Sequence, residues 1–214
     1  MTPDELQALI DELRAEAEAD RDPADRPEVG IVMGSDSDLD VVMGTEGSPG
    51  AHDALTELGF AELTDYGDPP EARFAFETYV VSAHRTPELM YAYAETAQAR
   101  GLQVIIAGAG GKSADLPNMT ASIAFPVPVI GVPVQEKSVD SVIGMPTGAP
   151  IVAVDAGKSY NAALSAAQIL ALSRPELRRR LRALHRDRQE GVARVSRRLH
   201  ELGTPAFRRE RGEG

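Results

Sequence analysis

Apolar residues follow two rhythms along this chain. Over residues 4–19 they recur at Leu6, Leu9, Ile10 and Leu13, the spacing of a helix with one apolar face and acids around the rest. Pro3 at the first turn, with Thr2 and Glu5 spaced as a capping pair, gives that helix a start. Residues 20–28 carry Pro23 and Pro27 among charges and read as a linker. Val29–Met33 has the other rhythm: a short apolar run, mostly β-branched, that predicts a strand buried on both faces. Similar runs predict strands over 74–81, 104–107, 127–132 and 151–154.

Helical patterns fill the gaps. One begins near Asp38, is interrupted by the glycine-rich stretch 44–50 and resumes over 52–58. Others cover 86–100, with Pro87 in the first turn, then 116–124, and the alanine-rich 160–172. Residues 137–144 read as a turn or short helix, and 175–202 as a long amphipathic helix with Gly191 as its weak point. Alternating short strands and helices from 29 to 172 predict an α/β domain whose parallel sheet is covered by helices on both faces. Residues 1–28 form an N-terminal helix and linker, and 173–214 a helical extension. Such sheets bind ligands beyond the carboxyl ends of their strands. Attention therefore falls on 34–38, 82–87, 108–117, 133–138 and 155–159.

Composition narrows the chemistry. With no cysteine among 214 residues, disulfides, thiolate metal sites and a cysteine nucleophile are excluded. No apolar run is long enough to span a bilayer, and the acidic N-terminus lacks the basic start and apolar stretch of a secretory signal, so a cytoplasmic location is expected. The net charge of −11 is uneven: residues 174–214 hold 13 arginines and six acids, leaving −18 on the remainder. An acidic body disfavours nucleic acid, and the basic tail reads as a solvated helix face or one docked on protein acids.

Gly34-Ser35-Asp36-Ser37-Asp38 joins a strand to a helix start. Its hydroxyls and free N–H groups suit a phosphate, while Asp36 and Asp38 either cap the helix or hold ribose hydroxyls. In Ser82-Ala83-His84-Arg85, the serine and the forked guanidinium can clamp a phosphate. His84 is the histidine at a predicted strand end, either a proton carrier near neutrality or a structural loop residue. The glycines at 108, 110 and 111 allow backbone amides to approach a planar group or carboxylate, or simply permit close packing. Lys112 and Lys158, two of only three lysines, each follow a strand-end glycine and are candidate anion contacts.

Five segments in fixed order, GSDSD (34–38), SAHRTPE (82–88), AGAGG with LPNM (107–119), PVIGVPV (128–134) and NAALSAAQIL (161–170), resemble the PurE family of purine biosynthesis. That family includes N5-carboxyaminoimidazole ribonucleotide mutases and the related aminoimidazole ribonucleotide carboxylases. The resemblance covers about residues 29–172. It implies a three-layer, flavodoxin-like fold, a homo-oligomer (commonly an octamer) and a reaction that needs no ATP, metal or organic cofactor. It assigns the 5′-phosphate to Ser35, Ser82 and Arg85, with Ala83 counted among the substrate-binding residues. Ribose hydroxyls go to Asp38, the base and ribose side to Asp36, and the imidazole and carboxylate pocket to the amides of Gly108, Ala109, Gly110 and Gly111. His84 becomes the general acid–base.

One segment departs from the pattern. Bacterial mutases of the family usually read AGGAAHLPGM where this chain reads AGAGGKSADLPNM, so Asp115 stands before Leu116-Pro117 in place of a histidine and, counted from the paired glycines, the spacing is one residue longer. Two activities therefore stay open, the mutase and a carboxylase using free CO₂. The bacterial style of the other segments favours the mutase. A non-catalytic phosphosugar-binding module would use the same segments with a structural His84. A flavin-binding protein is disfavoured, because the chain has no tryptophan and few aromatics at strand ends.

Overall fold

The computed structural model describes residues 3–72, 74–111 and 115–212. They fall into two compact units, one running to Leu170 and one from Ala171. In the first unit the elements follow in the order α1 (Pro3–Glu18), β1 (Val29–Met33), α2 (Leu39–Met43), β2 (Gly44–Thr45), β3 (Ser48–Pro49), α3 (Ala51–Glu57), β4 (Phe60–Glu62), β5 (Phe74–Val80), α4 (Pro87–Arg100), β6 (Val104–Ala109), α5 (Leu116–Ile123), β7 (Val129–Pro133), β8 (Val152–Ala153) and α6 (Ser159–Leu170). The second unit holds α7 (Pro175–Leu202) and α8 (Thr204–Glu210).

Six strands form one parallel sheet in the order β4-β5-β1-β6-β7-β8. Every residue of β1, β6 and β7 is buried, which is why these strands read as continuous apolar runs. Helices α4 and α5 pack together over one face, with α1 against α4; α3 and α6 pack together over the other. Ile10 and Leu13 of α1 belong to the same buried cluster as Leu89, Tyr93 and Ile105, so the N-terminal helix is part of this core. Residues 20–28 are likewise tied down. A 3₁₀ turn runs over Pro23–Asp25, and the Arg26 guanidinium donates to the Ala99 and Ala19 carbonyls. A Cβ on Gly30 would collide with the Tyr93 hydroxyl and Leu102, so glycine at this position lets α4 lie close on the central strand.

Several elements differ from the sequence expectation. The stretch 44–50 folds as a two-residue antiparallel hairpin, after which the Asp53 carboxylate accepts from the Gly50 N–H to start α3. β4 was not foreseen: three residues at a sheet edge carry no periodic signal. β8 is only two residues long and exposed. Gly191 does not break α7, which runs unbroken for 28 residues. Within the second unit, Arg198 pairs with Glu210 at 2.8 Å, joining α7 to α8. Ala162, Ala163, Ala166 and Ala167 are fully buried within the chain, where α6 packs on α3, β6 and β7; small side chains let it sit close to its own sheet.

A charged network lies inside this core. Arg100 of α4 and Glu77 of β5 are both almost inaccessible and pair directly. The guanidinium also donates to Thr96 Oγ1 (3.0 Å) and to the Tyr66 hydroxyl (2.8 Å), which in turn donates to Glu77. Burial, reinforced by the Glu77 carboxylate, holds the Tyr66 phenol far above its ordinary range, so it remains a donor. Removing one partner would leave an uncompensated charge in an apolar interior. Glu77→Leu is therefore expected to lower unfolding stability by about 3–5 kcal/mol, read from urea denaturation.

Candidate active site

Because every strand of the sheet runs the same way, all carboxyl ends lie along one edge. The strand order reverses direction between β1 and β6, and a crevice forms there. A cleft of about 760 Å³ occupies that position, lined by the residues that follow β1, β5, β6 and β7. Its size suits a nucleotide-sized ligand.

Each loop is held by hydrogen bonds that its own sequence supplies. After β1, Ser35 is extended and its hydroxyl accepts from the Ser37 N–H (3.3 Å) while donating to Asp36 Oδ1 (3.0 Å). Ser35 thus starts the turn, and Asp38 is released from capping. After β5, Ser82 N–H donates to Thr86 Oγ1 and Arg85 N–H donates to the Ser82 hydroxyl (3.2 Å), folding the loop back before Pro87 opens α4. The Arg85 guanidinium donates to the Gly34 carbonyl at 2.8 Å, joining the loops of two adjacent strands. After β7, the Gln135 amide donates to the Gly110 carbonyl at 2.6 Å and joins the next pair.

Ser35, Asp38, Ser82, Ala83, His84, Arg85, Ala109, Gly110 and Gly111 all line the cleft. Two other candidates do not. Asp36 turns its carboxylate to the Ser35 hydroxyl, and Gly108 lies buried inside β6 beside Val42. Lys112 lies outside the described residues. Lys158 does not line the cleft, and neither does the rest of segment 155–159. Ser159 is a structural residue there, accepting from Ala51 N–H (3.2 Å) and donating to the Val41 carbonyl, which fastens α6 to α2 and α3. Among the described residues, Gly34, Ser37, Val41, Asp115, Leu116, Val134 and Gln135 complete the wall. Gln135 carried no chemical signal of its own in the sequence, and its place in the loop after a buried strand was the only clue.

Asp38 is the buried charge of the site, with only 6% of its surface exposed. A Cβ on Gly110 would collide with its carboxylate, so glycine there lets the loop after β6 close directly over it. Burial pushes the Asp38 carboxyl above its ordinary range; the Ser35 and Gly34 backbone amides and the Arg85 charge oppose that shift, and Asp36 adds to it. His84 lines the same cleft, with its Nε2 3.5 Å from Asp115 Oδ2 at the start of α5.

A parallel doubly wound sheet with hydroxyls, an arginine, a histidine and glycine amides at its switch point defines an α/β domain built to hold an anionic, nucleotide-like ligand. The comparisons with known proteins make this specific. The AIR carboxylase family model matches residues 28–191, and the chain belongs to that family. It is 39% identical over 186 residues to the N5-carboxyaminoimidazole ribonucleotide mutase of Pyrococcus horikoshii, covering 84% of this chain and 93% of that protein. It is also 39% identical over 189 residues to the phosphoribosylaminoimidazole carboxylase of Schizosaccharomyces pombe, covering 86% of this chain and 30% of that longer protein. The crystal structure of Treponema denticola PurE shares the fold, with a TM-score of 0.62 at 22% identity over 84% of this chain and all of that one.

The raised Asp38 carboxyl has a consequence for stability. The folded chain holds this proton more tightly than the unfolded chain, so the group's contribution is fully present below the unfolded value and is lost as pH rises through the folded one. Above that range the buried carboxylate costs stability. Asp38→Asn removes the cost, so the free variant should melt at a higher temperature than the parent at pH 7, with a smaller gain at pH 4. Thermal melts at the two pH values read the difference.

Proposed function

We propose that this protein is an N5-carboxyaminoimidazole ribonucleotide mutase of purine biosynthesis, moving a carboxylate from the exocyclic nitrogen of the imidazole to ring carbon 4. The observation that carries the reading is the convergence of His84, Arg85, Asp38 and the Gly110–Gly111 loop on one cleft, from three separate strand ends. The relatives named as mutases support it.

In this reading Ser35, Ser82 and Arg85 hold the 5′-phosphate, Arg85 through its forked donors. Asp38 accepts from the ribose hydroxyls, and their hydrogen bonds compensate its burial. His84 protonates the exocyclic nitrogen as the carbamate C–N bond breaks and CO₂ leaves. Ring carbon 4 then attacks that CO₂ before it escapes, and the amides of the glycine loop stabilise the forming carboxylate. The new C–C bond leaves a proton on carbon 4, which His84 takes back to restore aromaticity. The histidine ends the cycle as it began.

A second reading is direct carboxylation of aminoimidazole ribonucleotide with free CO₂. The S. pombe relative's name and Asp115 in place of a histidine favour it. Incubation without ATP separates the two: the mutase converts the N5-carboxylated nucleotide, and the carboxylase makes the same product from aminoimidazole ribonucleotide and bicarbonate. Neither conversion, with ligand still bound, would leave a phosphosugar-binding module.

A cytoplasmic homo-oligomer, an octamer by family resemblance, is part of the proposal, with no nucleic acid or membrane partner. The net charge of −18 outside the tail opposes phosphate backbones, and no described helix is long and apolar enough to cross a membrane. Exposed Phe125 and Ile143 support a subunit contact. A monomeric mass by light scattering would remove this part.

Two variants test the chemistry. His84→Asn should lower kcat by roughly 100-fold or more while nucleotide still binds. Arg85→Ala should weaken nucleotide binding at least about tenfold, and Arg85→Lys should recover only part of it.

A further inference from the structure

Asp115 occupies the N-cap position of α5 but makes no capping bond with its side chain. Its backbone carbonyl accepts from Met119 N–H at 2.8 Å, which fixes it to the first turn of the helix. The carboxylate is left to face the cleft, with Oδ2 3.5 Å from His84 Nε2. Among the described residues, the other charged groups of the cleft wall do not compete for that ring: Arg85 is turned to the Gly34 carbonyl, and Asp38 is buried beneath Gly110. The two partners come from different strand ends, His84 after β5 and Asp115 beyond β6.

We propose that Asp115 is a positioning residue for His84, holding the imidazole by Nε2 so that Nδ1 is the nitrogen presented to the substrate. The inference rests on the reading of His84 as the proton carrier. In the mutase cycle Nδ1 gives its proton to the exocyclic nitrogen as the carbamate C–N bond breaks. Nε2 keeps its proton against Asp115, and Nδ1 later takes the proton from ring carbon 4. The carboxylate orients the ring without taking its proton, as the aspartate of a serine-protease triad does. Both side chains are more than half exposed in the free protein, at 66% and 58%, so the effect is smaller than in a buried triad.

The test uses the full chain and the N5-carboxylated nucleotide. Asp115→Asn, which keeps the shape of the side chain, should lower kcat about fivefold with KM changed less than about twofold. Asp115→Glu should recover most of the loss. In a His84→Asn background the same Asp115→Asn change should alter kcat by less than about twofold, because the group it orients is gone. Equal losses in both backgrounds, or an effect confined to KM, would overturn the proposal. Carbon-13 relaxation of the His84 ring in the free protein reads positioning without turnover: Asp115→Asn should make the ring more mobile. An unchanged ring overturns the proposal whatever the kinetics. A held ring in a parent protein that converts neither substrate would instead overturn the catalytic reading of His84, and this role with it.

Discussion

The architecture depends on burying the central strands of a parallel sheet on both faces. β1, β6 and β7 leave no residue in solvent, so their backbone polar groups must pair laterally and their side chains must be covered by helices. Parallel pairing then requires a crossover after each strand and places every carboxyl end on one edge. The cleft is a product of that geometry. It opens where the strand order reverses, between the loops after β1 and β6.

Cross-links between neighbouring loops turn this opening into a shaped site. Arg85 bonds the loop of β1, and Gln135 bonds the loop of β6, so the four loops position one another before any ligand arrives. The central charge, Asp38, is kept under Gly110 at some cost to the free protein. A site that stores unfavourable burial and releases it on ligand contact gains affinity from preorganisation. The buried Arg100–Glu77 pair differs in kind. It lies in the core, is satisfied by Thr96 and Tyr66, and fixes α4 against β5, the strand whose loop carries His84 and Arg85.

The proposed mutase reaction requires that CO₂ not escape the site. A cleft lined by the Gly110–Gly111 backbone and by His84 suits that requirement. The residue that meets His84, Asp115, comes from the segment between β6 and α5.

The sequence by itself determined the α/β class, five of the six strands of the main sheet, and four of the loop segments that wall the cleft. Runs buried on both faces and helix starts at Pro87 and near Asp38 are local signals, legible without contacts. Only the tertiary structure decided what depends on neighbours distant in sequence. β4 is a strand because β5 offers it an edge, and the α6 alanines are buried because the sheet lies beneath them. Asp36 and Gly108 share motifs with cleft residues yet face elsewhere, because a single residue's step along a turn or strand changes direction. The meeting of His84 with Asp115, two residues on different crossovers, follows from packing alone and has no signature in the linear order of the chain.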